Sequence, residues 1–224
     1  KALQDAEDGK QILRDLKGVK IGNLHVGVTY SMGPMLVSAL EPFTKVYPNI
    51  KLRITFGTSE ELLHLLENNG LDFLLSFQPE GFYDGFERIP LFQSRLYFIV
   101  HESHPLASLS SITLKRLSET PLILPERGFA TRKKIEELCL KHQLVFTVGM
   151  EINDVHTILH ILKGGYWATI LTQAAVSNEE GLVQIPILCA DRLTSQGYLF
   201  WPQGAYRKKA ASAFVAFLLE AGRK

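Results

Sequence analysis

Apolar positions along the chain follow two rhythms in turn, every second residue and then every third or fourth. Leu24, Val26 and Val28 alternate with their neighbours and predict a strand. The turn Thr29-Tyr30-Ser31-Met32-Gly33 follows, and Pro34 suits the first position of a helix, where its missing N–H costs nothing. Met35, Leu36, Ala39, Leu40, Phe43 and Val46 recur at helical spacing, Pro42 predicts a kink, and Tyr47-Pro48-Asn49 closes the helix. Ile50, Leu52, Ile54 and Phe56 then alternate with Lys51, Arg53 and Thr55, which predicts a strand wet on one face, near a sheet edge. After Gly57, Thr58 and Glu61 form a capping box ahead of Leu62, Leu63, Leu65 and Leu66, and Asn69-Gly70 ends that helix. Leu71 to Leu75 is apolar except for Asp72 and reads as a central parallel strand.

The same alternation returns further on. Leu91–Val100 reads as a strand, followed by a turn-rich stretch from His101 to Leu109. Leu122–Leu124 is a short strand, 125–130 a loop, and Thr131 caps a helix running to Cys139. Phe146, Val148, Met150 and Ile152 alternate as a strand, and Asn153-Asp154 caps a helix over 155–163 that stops at Gly164-Gly165. Trp167–Leu171 is a strand, Thr172 opens a short helix, and Pro186 marks 185–187 as an edge strand. Gly197–Trp201 is a strand and 205–221 a helix with Ala211, Phe214, Val215 and Leu218 inside. The predicted fold is α/β: two Rossmann-like lobes, each a parallel sheet, joined by crossings near Phe98–Val100 and Gln196–Phe200, with the last helix returning to the first lobe.

The first seventeen residues are highly charged and only thinly apolar, with Leu3, Ala6, Ile12, Leu13 and Leu16; they read as a helix capped by Gly18. The chain has 224 residues, 24 Lys plus Arg against 23 Asp plus Glu, and a net charge of +1. That balance argues against gripping nucleic acid by bulk charge. No apolar run has the ~18 residues needed to span a bilayer. The two cysteines, Cys139 and Cys189, make no disulfide framework, which fits a reducing cytosol.

None of the familiar catalytic or nucleotide-binding motifs is present: no GxSxG, HExxH, GxxxxGK[ST] or GxGxxG. Cys139 lies on an apolar helical stripe and reads as a core thiol. His156 and His160 have metal-ligand spacing, but no carboxylate or CxxC accompanies them, so neither metal nor other cofactor is expected. The recurrent feature is hydroxyl or amide residues where helices begin: Thr29 and Ser31, Thr58 and Ser59, Thr131, Asn153 and Thr172. Each is an ordinary N-cap taken alone. Together, at the carboxyl ends of parallel strands, they place free N–H groups and helix dipoles around one cleft, a setting that favours a small anion. Tyr30, Phe77 and Phe129 would wall it. The set is equipped to bind rather than to react.

Five segments in order, GNLHVGVTYS, FTKVYPNIKL, FGTSEELLHLLENNGLDFLL, IPLFQSRLYFIVHESHPLA and ILKGGYWATILTQAAV, resemble the effector-binding domain of LysR-type transcriptional regulators. The resemblance covers about residues 19–220. The stretch GFATRKKIEELCLKHQL further resembles the branch of that family that responds to cyanate. The resemblance implies a two-lobe fold like a type II periplasmic binding protein with a small effector between the lobes. Residues 1–18 would end a linker helix, 19–98 with 199–224 would form lobe I, and 99–198 lobe II. The winged helix-turn-helix that reads DNA would lie outside this chain. Family effector positions match Tyr30, Ser31, Thr58, Ser59, Phe129 and Thr131, with Asn153 and Thr172 further along. The family's last motif commonly carries a proline that Leu171-Thr172-Gln173 lacks.

The expected function is therefore the sensor of a cytoplasmic one-component regulator. It would bind a small, anionic metabolite in one closure state of the lobes and shift the population toward it. The expected assembly is a homodimer or tetramer paired through the helix 34–47 and strand 50–56, with no membrane contact. Two rivals are an extracytoplasmic solute-binding protein of the same fold and an enzyme using Arg132 and the cleft threonines.

Overall fold

Strand β1 (Gly22–Thr29) lies parallel to β2 (Ile50–Gly57), in register from Gly22 opposite Ile50 to Thr29 opposite Gly57. The pleat puts Leu24, Val26 and Val28 beside Leu52, Ile54 and Phe56 on one face, and Asn23 and His25 beside Lys51 and Arg53 on the other. The computed structural model describes residues 22–77, 85–177 and 179–222, so the expected linker helix over 1–18 falls outside the described residues.

A 3-10 turn at Tyr30–Met32 leads into α1 (Gly33–Val46), with Pro34 in its first turn. The helix runs through Pro42, an exposed position. Pro42 has no N–H to donate to the carbonyl of Ser38, itself an exposed residue. The Thr58–Glu61 capping box opens α2 (Ser59–Glu67), as its sequence predicts, and β3 (Phe73–Phe77), buried at every residue, lies parallel to β1. On its other side β3 meets β10 (Thr194–Pro202), antiparallel, so β2 is the sheet's edge.

The long strand β4 (Phe86–His101) belongs to both halves of the molecule. Residues 86–95 pair with β10; from Leu96 to His101 the partners are β8 (Ala168–Thr172) and β9 (Leu182–Leu188). The crossing thus falls at Arg95–Leu96, just ahead of the expected Phe98–Val100. β10 makes the return crossing at Thr194–Gln196 before it joins β3 at Gly197.

Beyond β8 the second sheet continues through β6 (Leu122–Pro125) to β7 (Val148–Ile152), all parallel. Its helices are α3 (Leu114–Ser118), α4 (Ala130–His142) and α5 (Val155–Leu162). A two-residue strand, β5 (Ile112–Thr113), pairs with Ile187 and Leu188 of β9. Pro186 therefore sits on an edge, as expected, but the strand is covered at its last two residues. The final helix, α6 (Lys209–Ala221), starts later than the periodicity predicts, after a loop in which Gly204 holds a φ of +69°.

Helices pack on both faces of each sheet, which is why its inner strands read as continuous apolar runs. In the first half, α1 and α6 cover one face, with Phe43 edge-on to Phe214 at 4.8 Å and both among Leu24, Val26, Phe73 and Trp201. Leu62 and Leu66 of α2 pack on Leu74 and Phe200 across the other face. In the second half, Ile135 and Leu138 of α4 join Phe98, Leu122 and Leu124 on one side. On the other, Val155, Leu159 and Leu162 of α5 join Ile99 and Leu171. Each such large apolar side chain contributes about 1.5–3 kcal/mol on burial.

Candidate functional site

The parallel strands of the first sheet end at Thr29, Gly57 and Phe77, and those of the second at Pro125, Ile152 and Thr172. Four observations bring the two sets of ends together. Tyr30, after β1, stacks between Phe56 of β2 (5.4 Å) and Phe129 of the second half (5.8 Å). Gly128 holds a φ of +98°, and a Cβ there would lie 3.5 Å from the Thr58 methyl group. Glu60 of α2 pairs with Lys133 of α4. The Tyr30–Met32 turn also packs on the 3-10 turn Gln173–Val176 that follows β8.

The sequence-predicted residues fare differently within this frame. Tyr30 and Phe129 face each other across the junction, and Phe129 is only 6% exposed. Ser31 is buried in the turn beside Met32. Thr58 is fully engaged locally: its Oγ1 accepts from Glu61 N at 3.3 Å and donates to Glu61 Oε2 at 2.9 Å, and its own N–H donates to the same oxygen at 2.9 Å. Ser59 lies 3.0 Å from Ser76 Oγ, whose single proton goes to the Phe77 carbonyl at 2.9 Å, so Ser59 is the donor of that pair. Phe77 is a core residue set edge-on to Phe92 at 5.7 Å.

Thr131 corrects its expected role: Phe129 is the N-cap of α4 and offers no side-chain cap, while Thr131 is buried inside the first turn. Cap residues sit outside the helix, and the helix begins two residues too early for Thr131 to serve. Asn153 is exposed, and it is Asp154 that caps α5, accepting from Thr157 N at 2.8 Å and Thr157 Oγ1 at 2.6 Å. That acceptance holds the Asp154 carboxyl below the usual carboxylate range. Thr172 is 1% exposed, pairs with Leu96 where β4 changes partners, and its Oγ1 has no hydrogen-bond partner among the described residues.

The two facing helix starts carry opposite character. α2 has Glu60 and Glu61 in its first turn, and Glu61 already occupies its N–H groups. α4 has no acidic residue in its first turn and no capping side chain, so the N–H groups of Ala130, Thr131 and Arg132 lack the usual satisfaction from within the helix. Arg132 is buried, donating to the Pro125 carbonyl at 3.1 Å, Glu136 at 3.0 Å and Glu151 at 2.7 Å. Its charge is thereby matched locally, and it fastens the end of β6 to α4.

Family comparison accounts for this arrangement. The LysR substrate binding domain matches residues 17–223. The chain belongs to that family. It is 29% identical over 211 residues to the HTH-type transcriptional activator CmpR of Synechocystis sp., covering 93% of this chain and 69% of the relative. The RuBisCO operon transcriptional regulator of Allochromatium vinosum is 25% identical over 223 residues, covering 98% and 74%. Among solved structures, the CcmR regulatory domain of Synechocystis in complex with 2-PG matches with a TM-score of 0.80 at 22% identity, over 91% of this chain and 98% of that one. The effector binding domain of QuiR in complex with shikimate matches with a TM-score of 0.77 at 22% identity, over the same shares. The likeness establishes the type II periplasmic-binding-like fold expected from the sequence. The relatives by sequence are transcriptional regulators, not solute receptors or enzymes.

In this LysR substrate-binding domain, several junction residues carry no signal legible in sequence. Phe56 reads only as one beat of a strand, yet it forms the outer plate of the aromatic stack and is 42% exposed. Glu60 and Lys133 are 73 residues apart, and nothing local relates them. Ser94 is hidden within an apolar strand and accepts from Ala174 N at 3.0 Å, tying the Gln173–Val176 turn to β4. No group of three or more His, Cys, Asp or Glu among the described residues has a metal-holding arrangement.

Proposed function

We propose that this LysR substrate-binding domain senses a small anionic effector held between its two lobes, contacted by Tyr30, Ser31, Phe129, Thr131 and Thr172. The lobes would be residues 19–98 with 199–224, and 99–198. The observation that carries the reading is Thr172: a hydroxyl buried to 1% exposure with no partner among the described residues, at the sheet junction. An unmatched buried hydroxyl costs about 1–3 kcal/mol, and a ligand acceptor or donor there offsets that cost. The nearby start of α4, with its free N–H groups and no acid in the first turn, favours the negative end of such a ligand. The start of α2 does not, since Glu61 fills it. Thr58, Ser59 and Phe77 then shape the wall through the fold of lobe I, and Asn153 stands at its rim. That CcmR and QuiR domains were solved with 2-PG and with shikimate agrees with a small-molecule effector.

The effector would favour one closure state and shift the population of a homodimeric, cytoplasmic regulator whose winged helix-turn-helix reads DNA. β2 has a strand partner on one side only among the described residues, and Val37 and Val46 of α1 are exposed, which supports pairing through α1 and β2. No helix among the described residues is long and apolar enough to cross a membrane. No cofactor and no turnover are part of this reading. Calorimetric titration with 2-PG, shikimate and related small phosphates and carboxylates tests it. Saturable binding that Thr172→Val weakens supports the site; equal binding by the variant removes it.

A further inference from the structure

The nine-residue helix α2 covers only the carboxyl end of its sheet face. Gly27 lies beneath Leu62 and Leu74, while the amino-terminal half of that face forms a cleft among the described residues. There Asn23, His25, Lys51, Arg53, Asp72 and Lys208 line a cleft of about 360 Å3, outside the effector site. The pairing of Asn23 with Lys51 and of His25 with Arg53 in the β1–β2 ladder fixes the cationic groups side by side. Lys208 arrives from the loop before α6 and donates to Asp72 Oδ1 at 2.7 Å and to the Asn23 carbonyl at 3.3 Å. Asp72 is already committed on its other oxygen, which accepts from His25 N at 2.8 Å. Lys51 and Arg53 have no ion-pair partner among the described residues. Three cations thus meet one carboxylate, an excess of two positive charges on a concave surface.

We propose that this cleft is a second binding site, for a small phosphate-bearing or doubly charged anion, which bridges Lys51 and Arg53 with Lys208 as the inner wall. The guanidinium fork and the ammonium groups suit an oxyanion, and a dianion balances the two surplus charges. The His25 side chain marks the same field. Its Nε2 lies 2.8 Å from Thr55 Oγ1, and burial, then Arg53 and also Lys208, hold its pKa below the ordinary value against the opposing pull of Asp72. An anion in the cleft opposes Arg53 and Lys208 and moves that pKa upward.

The test is titration of the 224-residue chain with inorganic phosphate, in chloride buffer of low ionic strength, followed by calorimetry and by amide and imidazole NMR. Expected are saturable binding, shifts at His25, Arg53 and Asp72, and a rise in the His25 midpoint. The Lys51→Gln/Arg53→Gln double variant, changed at exposed positions, should bind phosphate about tenfold or more weakly, as loss of charge-assisted hydrogen bonds implies. It should leave 2-PG or shikimate binding at the junction intact, so the two sites succeed or fail separately. Shifts confined to the start of α4, equal binding by the double variant, or retention of duplex DNA without any phosphate binding would each overturn the proposal.

Discussion

Tyr30 and Phe129 stack with ring centroids 5.8 Å apart and planes 24° from parallel, although one ring follows the first strand of lobe I and the other caps a helix of lobe II. The contact bridges two sheets that also share β4 and β10. Offset stacking of this kind adds about 0.5–1.5 kcal/mol beyond burial. Phe129→Ala should cost roughly 3 kcal/mol in urea unfolding, because it empties a buried aromatic position as well. Phe129→Leu, which fills most of the space without a ring, should lose much less. Equal stability of wild type and the alanine variant would show that the stack does not hold the junction.

Thr58 illustrates how far a motif can be read. Its capping box was legible from Thr58 and Glu61 alone, and the structure forms both of its bonds. Removing the hydroxyl in Thr58→Ala should lower stability by about 1 kcal/mol, the usual value for a lost N-cap. Thermal unfolding of that variant, compared with Glu61→Gln, checks it. The glutamine variant retains a carbonyl acceptor and should lose less.

The Glu60–Lys133 pair should be weak in itself. Glu60 is more than half exposed, so water and salt screen the pair. A double-mutant cycle over Glu60→Ala and Lys133→Ala should give a coupling of about 0.5 kcal/mol that shrinks with added salt. A coupling of several kcal/mol, independent of salt, would contradict this.

His104 sets a pH dependence. It is buried, its Nδ1 accepts from Leu106 N at 3.1 Å, and desolvation lowers its pKa from the ordinary 6.5. At and above pH 6.5 the neutral form therefore predominates in the fold, with the proton on Nε2. The unfolded chain takes up the proton first. Stability that rests on neutral His104 is complete above 6.5 and declines as pH falls from there toward the lower folded value. Ring NMR should give a midpoint below 6.5, and a midpoint above it would reverse the sign.

Legibility of the fold followed from periodicity, because most elements bury one clear face. The β1–α1–β2–α2–β3 order and the edge position of β2 were all present in Leu24–Val28, Ile50–Phe56 and the Thr58 cap. The site was less legible. Thr131 is the residue type that usually caps a helix, but Phe129 takes the cap and Thr131 is buried as the second residue of the first turn. A residue-type rule cannot see which of three neighbours the chain leaves outside the helix. Phe77 and Ser59 sit at strand and helix ends that do face the junction, yet Phe92 and Ser76 claim them for the core. Such competition between a cleft and a core is decided by tertiary packing, which strand periodicity does not encode. Lys51 and Arg53 read as the wet side of an edge strand, and only the register with His25 and the arrival of Lys208 make them a cluster.

Thr172 separates a binding role from a structural one. Its hydroxyl is buried without a partner among the described residues, so it gives the unliganded fold nothing to lose. Valine has nearly the same shape and removes the unmatched group. Thr172→Val should leave thermal stability without ligand unchanged or raise it by up to about 1 kcal/mol, since an unsatisfied hydroxyl is destabilising. The same change should weaken binding of 2-PG or shikimate, whichever the protein takes, by about tenfold, the worth of one buried hydrogen bond to a charged ligand. A drop in unliganded stability comparable to a core cavity would instead mean that the hydroxyl supports the fold, and the effector site would have to be sought elsewhere along the junction.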